Sequence, residues 1–546
     1  MPDTGPSRCD TQPVTIVGGG PVGMALALSL AKHNIRSVVL EADDAVCDGS
    51  RAICLSRRTL EILDRLGVLR PFLEKGLPWT SGRSFHEDTL VHRFTMPNDD
   101  DQRLPPMINL QQYYIESFLA EEIVRHADLI DMRWGTEVVG FSDAASRLVL
   151  TARKDGTEYE METNYVAACD GARSKVRSAL GLKMSGVSYE GRYVIADIRI
   201  KINLPTERLA WFDPPSNRGR TVLMHRQPDD LWRIDYQMLE GENAEEMTKT
   251  EALLPVIQAH LDMMKIDAPW DLVWSSSYRA SAISLDRYTH GRVMFLGDAA
   301  HLVPIFGVRG LNSGFDDAFN LGWKLAAVMK DKAPEIILST YSQERRAAWQ
   351  INVAHALKST DFMSPPSRGF TLMRDAALRA GRYDAGLAAL VNPRQSSAIV
   401  YEGSELSTRD GDGDAFAGMA MLGGPLPECP LMACDGARIH LTQILRDTFV
   451  LLVFGDMRFA QAGAGIEGLE VLAIVPDAYQ TINLVTTVRD KDGRFAALFD
   501  ARPGSAFLVR PDGHLCARWR KPDLTSVTHA IGVATMRVPS KERAET

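Results

Sequence analysis

The sequence predicts an α/β fold with a Rossmann-like core, an inserted α+β unit and a third unit at the carboxyl end. Three observations carry this prediction. Near the amino end, a short β-branched run, Val14 to Val17, feeds directly into Gly18-Gly19-Gly20-Pro21-Val22-Gly23 and then an apolar, Ala-rich helical stretch. Two later apolar strands end in Asp170-Gly171 and Gly297-Asp298. Between them, residues 185 to 285 carry stretches such as "GRYVIADIRIKI" and "GRTVLMHRQPDDLWRIDYQM", whose alternating polarity is that of half-buried strands.

Each part of the first unit has a physical reason. Val14 to Val17 has the composition of a buried parallel strand. In the GxGxxG pattern, Gly18 makes the tight turn, Gly20 lets a pyrophosphate approach the backbone, and Gly23 lets the helix from Met24 to His33 pack close. The helix amino end offers free N–H groups and partial positive charge to phosphates. "SVVLE" is a second strand ending at Glu41, 23 positions after Gly18, where a carboxylate would accept hydrogen bonds from a ribose diol. An acid at this position favours an unphosphorylated ribose, hence FAD or NAD. Three strand ends converging on one ligand suit the longer and more extended of the two, FAD.

At 546 residues the chain exceeds one ordinary core. It is 45% hydrophobic and 24% charged with a net charge of −9, and it has no block of basic residues, which argues against nucleic-acid binding as the main activity. No apolar run approaches the roughly 18 residues needed to span a bilayer. "MPDTGPSRCDTQ" lacks the apolar centre of a signal peptide. A cytoplasmic protein with no membrane role is expected. The seven cysteines contain no CxxC and no metal-like cluster, so no metal is expected and Cys429 and Cys434 read as inert thiols.

The elements GGGPVG (18–23), DGARSKVR (170–177) and GDAAHLVP (297–304), with "RRTLEILDRLGV" after Arg51 and "QQYYIESFL" carrying Gln112 and Glu116, resemble the single-component FAD-dependent aromatic hydroxylases, the family of para-hydroxybenzoate hydroxylase and phenol hydroxylase. The resemblance covers residues 14 to about 350 and implies a glutathione-reductase type of FAD-binding domain, non-covalent FAD and a homodimer. It places Arg51, Gln112 and Asp170 near the cofactor and gives Asp298 a hydrogen bond to the ribityl chain. It also implies that the amino end of the helix beginning at Gly310, Leu311 and Asn312 faces the flavin's pyrimidine edge. Relatives carry a GGQGMN-like segment where this chain has Gly307-Val308-Arg309-Gly310-Leu311-Asn312. Arg309 would then face reduced flavin, an acidic substrate, or solvent.

The reaction implied is hydroxylation of a phenolic ring with NADH or NADPH and O2, through a flavin C4a-hydroperoxide. No second GxGxxG is present, in keeping with a nicotinamide that visits transiently. The inserted sheet should roof the substrate, and its candidates are His225, Arg233, Tyr236 and Tyr278, with Tyr236 and His225 preferred for orienting a phenol and drawing off its proton. Pro304 matches a proline that relatives place at the flavin and substrate face, whereas His301 reads as structural. Alternatives on the same fold are a hydroxylase of larger polycyclic or polyketide rings, or a decarboxylative or dehalogenating phenol monooxygenase. In a different class stands a flavin-binding redox sensor without turnover.

The expected organisation is a discontinuous FAD-binding domain over 12–184 and 286–400, a substrate-binding sheet over 185–285, and an acidic, Gly-rich linker over 401–425. Over 426–546 the strands "TFVLLVFG", "GLEVLAIVP" and "FLVRPDGHLCARW", the last a hairpin closed at Pro511-Asp512-Gly513, match the C-terminal thioredoxin-like domain of the family's larger members, without a CxxC.

Overall fold

The computed structural model describes residues 11–50, 52–144, 147–239, 241–304, 306–389, 398–411, 415–476 and 485–538; the expectation for Arg51 lies outside them. The chain builds three large sheets. In the first, the strand Gln12–Val17 leads into the helix Pro21–Lys32 and the strand Ser37–Leu40. Gln12–Val17 lies between Ser37–Leu40 and Thr157–Ala168, parallel to both, and Thr157–Ala168 pairs in parallel with Val293–Phe295. Three strands thereby deliver their carboxyl ends, just before Gly18, Cys169 and Leu296, to one edge of the sheet. The helices Pro21–Lys32 and Gly310–Met329 cross closely where Gly322 meets Ser29: a Cβ at Gly322 would lie 2.1 Å from the Ser29 Oγ.

The second sheet runs in the order His301–Leu302, Trp270–Ser284, Ser185–Ile200, Leu231–Gln237, Thr221–Arg226, Arg208–Phe212, Ser81–His86 and Thr89–Thr95. Its last two strands come from early in the chain, Ser81–His86 pairing in parallel with Arg208–Phe212. The sheet therefore extends beyond the 185–285 segment expected from sequence. The reason is local: "SGRSFH" is a strand with little apolar alternation, held by its partners rather than by its own pattern. One face of the sheet buries Trp232, Ile234 and Tyr236 in a cluster with Leu253, Ile257 and Leu261 of the helix Thr250–Met263. The opposite face looks toward the first sheet's carboxyl edge and forms the roof of the cavity described below.

The third sheet contains three parallel strands, Phe449–Phe454, Leu469–Pro476 and Thr486–Asp490, with the hairpin Ala506–Val509 and Leu515–Trp519 added antiparallel beside the first of them. Its hairpin turn is buried against the first unit. Arg510 donates to Glu344 Oε1 at 2.6 Å, Lys324 to Glu344 Oε2 at 2.7 Å, and Arg58 to the Asp512 carbonyl at 2.8 Å. The segment expected as a linker is likewise packed: the Tyr401 ring stacks on His514 at 4.5 Å, and Asp410 pairs with Arg518 at 2.7 Å. Cys429 is buried, Cys434 is exposed, and both are free thiols. Among the described residues, no helix is long and apolar enough to cross a membrane.

Candidate functional site: a cofactor cradle under a polar sheet face

The glycine-rich turn is built as its spacing demands. Gly18 has φ +103°, and a Cβ there would lie 2.4 Å from the Cys169 carbonyl oxygen; one at Gly23 would lie 2.0 Å from that of Gly18. Both positions admit only glycine on steric grounds. Gly20 differs, because a Cβ there would meet nothing within 4 Å. Its backbone borders open space at the amino end of the helix Pro21–Lys32, the geometry of a pyrophosphate cradle. Beside it, the Gly19 N–H donates to Glu41 Oε2 at 2.6 Å and the Asp43 N–H to Glu41 Oε1 at 2.9 Å. Each carboxylate oxygen has a further lone pair for a ribose.

From Gly20 a cavity of about 430 Å³ runs past Cys169, Gly171 and Leu296 to Asp298 and on to the sheet roof. Asp298 is exposed on this lining. The turn that carries it is held by Asp317, whose Oδ2 accepts from the Gly297 N–H at 3.0 Å and pairs with His301 at 2.8 Å, while Oδ1 accepts from Arg345 at 2.6 Å. Burial alone would raise the Asp317 pKa, but His301 and Arg345 hold it at about 2, so it is a permanent anion. His301 is structural, as expected from sequence. Asp317 escaped notice because its partners, the Gly297–His301 turn and Arg345, are brought to it only by the fold.

The helix Gly310–Met329 begins at the cavity, with Gly310 and Leu311 in the lining. Its first N–H groups have no intrahelical acceptors and carry the positive end of the helix dipole. Arg309, 1% exposed, lines the cavity and donates to Asn352 at 2.9 Å, which removes solvent from its possible destinations. Val308 stands where the family pattern has glycine and still adopts a left-handed backbone, φ +55°, a strained state for a β-branched residue.

Four of the residues expected at the site lie outside the cavity lining. The Asn312 side chain is engaged within the protein: its Oδ1 accepts from Ser56 N–H (2.9 Å) and Thr59 Oγ1 (2.6 Å), and its Nδ2 donates to the Cys54 and Val308 carbonyls. It ties the helix to the strand Cys54–Ser56. Asp170 Oδ2 accepts from the Lys175 N–H at 2.8 Å at the start of the short helix Lys175–Ala179, while its Oδ1 is buried without a protein partner. Pro304 is buried outside the cavity lining, which this loop supplies through Phe306 and residues 308–311. Tyr236 lies on the far face of the sheet, its hydroxyl 3.4 Å from the Met247 carbonyl. The period-2 alternation of a strand puts it opposite to Arg233. Gln112 does line the cavity, where it accepts from Ala52 N–H at 3.3 Å and donates to Glu116 at 2.9 Å, fixing the loop before the strand Cys54–Ser56.

The roof brings together His225, Arg233 and Tyr278 with two residues the sequence reading missed, Arg208 and Asp235. Arg208, His225 and Arg233 are cross-strand partners in one row, and Asp235 follows Arg233 one step along the same face. Arg233 is engaged bidentately by Asp197, at 2.9 and 2.8 Å, and also donates to the Ser50 carbonyl. Three other polar atoms are buried without any protein partner: Asp235 Oδ1, His225 Nδ1 and Tyr278 Oη. Buried polar atoms are rarely left so, and three on residues that line one cavity point to a polar ligand there. Burial raises Asp235 to about 7, with Arg233 opposing the shift. Burial and the two arginines keep His225 neutral, and burial with Asp235 holds the Tyr278 hydroxyl protonated. The Tyr193 ring, stacked on Tyr278 at 5.7 Å and edge-on to Phe306 at 5.1 Å, closes the aromatic flank.

The open cradle at Gly20, the exposed carboxylate of Asp298 and the helix end at Gly310 together fit a dinucleotide that ends in a ring accepting negative charge. Known proteins of similar sequence and structure agree. Over 95% of its length the chain is 26% identical to a 3-(3-hydroxy-phenyl)propionate/3-hydroxycinnamic acid hydroxylase of Burkholderia cenocepacia (strain HI2424), covering 96% of that protein. It is 24% identical over 95% of its length to a relative of the same name from Mycolicibacterium smegmatis (strain ATCC 700084 / mc(2)155), covering 93% of it. Its fold matches the flavin-dependent monooxygenase PieE, crystallised with FAD and substrate, with a TM-score of 0.81 at 21% identity over 97% of this chain and 99% of that one. It also matches anhydrotetracycline hydroxylase OxyS from Streptomyces rimosus, with a TM-score of 0.70 at 26% identity over 97% and 99% of the two chains. The FAD binding domain family matches residues 11–356, well over half of the chain and the whole of the cradle, so the protein belongs to that family and its cofactor is FAD.

Proposed function

We propose that the protein is an FAD-dependent monooxygenase that uses NAD(P)H and O2 to hydroxylate a phenolic aromatic ring. One observation carries the reading: the cavity that begins at the cofactor cradle ends at a roof where Asp235, His225 and Tyr278 each present a buried polar atom with no protein partner. When bound, the flavin supplies the electron transfer and oxygen activation. The chain supplies position, charge and dryness. Asp235, at about 7, is matched to accept the proton of a phenol near neutral pH, and the phenolate is the better carbon nucleophile. Tyr278 stays a neutral donor beside it. Phe306 and Tyr278 line the cavity, with the buried Tyr193 ring packed behind them, and this aromatic wall helps to keep water from the reacting face. The helix end at Gly310 and the buried charge of Arg309 favour negative charge at the adjoining edge.

The names of the relatives, hydroxylases of phenolic acids, support a single-ring phenol. The likeness to anhydrotetracycline hydroxylase supports a larger ring as the second reading. The carboxyl-terminal unit is thioredoxin-like in its run of parallel strands followed by a hairpin, and it serves as a brace rather than a redox module.

The test is NAD(P)H oxidation by the FAD-loaded protein with each nicotinamide, across neutral phenols, phenolic acids and fused-ring phenols. One class is expected to raise the rate of NAD(P)H oxidation clearly above the basal rate, with one oxygen atom gained by the product. A rate indifferent to every phenol would overturn the reading.

A further inference from the structure

One wall of the cavity is set by a side chain held on an unfavourable backbone. Val308 has φ +55°, directly after Gly307 at φ +97°. A left-handed conformation is rare for a β-branched residue, which keeps it only where its surroundings dictate it. Here they do. The Val308 carbonyl accepts from Asn312 Nδ2 at 2.5 Å, and the same Nδ2 holds the Cys54 carbonyl. The next residue, Arg309, is tied to Asn352. Glycine would make this turn without strain, so the turn alone does not account for the isopropyl group.

That group has two sides. It lines the cavity together with Ile53 and Cys54. Behind them it packs on the cluster that these two form with Trp79, Phe94 and Met107. The backing is fixed in place. Asn109 Oδ1 accepts from the Trp79 indole at 2.8 Å and from the Cys54 thiol at 3.1 Å. Asn109 Nδ2 donates to the Arg226 carbonyl of the roof strand Thr221–Arg226 at 2.7 Å. A wider ligand therefore meets a wall that does not yield.

The wall stands where the cofactor part of the cavity meets the roof. Along the loop, Val308 lies between Phe306, whose ring is edge-on to Tyr193, and Gly310, where the helix Gly310–Met329 begins. Its neighbour Cys54 is close to the polar roof: burial pushes that thiol up to about 12, and the charges of Arg208, Arg233 and Asp235 also act on it.

Resting on the phenol reading above, we propose that Val308 is a specificity-determining residue that sets the width of the ring slot: its isopropyl group fills the room a second fused ring would need and restricts the site to single-ring phenols. The strain at this residue keeps that wall in place. A fused-ring phenol would have to displace a side chain whose own carbonyl is anchored on Asn312 and whose far side rests on a buried cluster.

The test compares 3-methylphenol with 2-naphthol, a phenol that carries a second fused ring. Binding to the FAD-loaded protein is measured by equilibrium dialysis, per bound flavin, in wild type, Val308→Gly and Val308→Ala. A single methylene in an apolar pocket is worth ~10-fold or more in discrimination. Val308→Gly is therefore expected to raise the 2-naphthol-to-3-methylphenol affinity ratio at least ~10-fold, and Val308→Ala by a smaller factor. A smaller rise in Val308→Gly, or an equal change for both probes as a merely structural role would give, overturns the Val308 assignment and leaves the phenol reading standing. If Val308→Gly does not fold, Val308→Ala decides: a rise of ~3-fold or more supports the assignment and a smaller one overturns it. Failure of the wild-type protein to bind either probe overturns the phenol reading, and the Val308 assignment with it.

Discussion

Replacing Asp235 with Asn is expected to lower phenol hydroxylation by ~10²–10⁴-fold, the usual contribution of a positioned proton acceptor, with FAD still bound. The Asp235 carboxyl sits on the roof, away from the cradle at Gly20 and the turn at Gly297, so flavin content should not change. The defect should depend on the substrate. A nitrophenol, already ionised near neutral pH, needs no acceptor and should lose far less than an ordinary phenol. Equal losses for both would place Asp235 in a packing role. A second consequence follows from linkage. In the unfolded chain this carboxyl loses its proton near 3.8, while in the folded protein burial keeps it protonated up to about 7. Folding therefore binds more protons between these values, and stability is lost as pH rises from 4 to 7, by ~2–4 kcal/mol in total. Asp235→Asn should accordingly be more stable than wild type at pH 8, with the advantage vanishing by pH 4. Urea midpoints at the two pH values measure it.

Arg510→Met is expected to cost ~3–5 kcal/mol, the penalty for removing one partner from a buried charge network. Arg510 is 1% exposed, bonded to both oxygens of Glu344 at 2.6 and 3.1 Å and to Asp512 Oδ1 at 3.0 Å. Burial alone would push Glu344 up, but Arg510 and Lys324 hold it well below the carboxylate range. Without Arg510, Glu344 and Asp512 would keep one buried cation fewer between them. Because Lys324 and Asn320 of this network belong to the helix that starts at the cofactor, the loss should reach FAD retention as well as stability. Adding Glu344→Gln should restore part of the stability, since the two residues act as a pair. A change in the urea midpoint equivalent to less than ~1 kcal/mol would show that the hairpin turn is not a brace.

The first sheet was legible because each of its elements declares itself locally. The strand Gln12–Val17, the glycines at 18, 20 and 23 and the strand Ser37–Leu40 form a single uninterrupted pattern. The roof was only half legible. In "LWRIDYQ" the alternation already separates Arg233 and Asp235 from Trp232, Ile234 and Tyr236. Strict parity would have exchanged Tyr236 for Asp235. Arg208 lies in "RLAWF", where nothing local distinguishes a cavity arginine from a surface one until cross-strand register sets it beside His225. Asn312 was drawn to the cofactor by motif position, yet its side chain is spent on a neighbouring strand and helix, and Asp170 gives one of its two carboxylate oxygens to the helix Lys175–Ala179. Ser81–His86 entered the second sheet by pairing alone. What stayed hidden was non-local: Asp317 acquires its role only when Gly297, His301 and Arg345 meet around it.

The most direct test of the central claim is turnover of a phenolic acid by the FAD-loaded protein with NAD(P)H under heavy-isotope O2, the product being read by mass. The account predicts a product heavier than the substrate by one oxygen atom, with that atom taken from O2 and not from water. NAD(P)H oxidation without label in any product, across the phenols that bind, would contradict it.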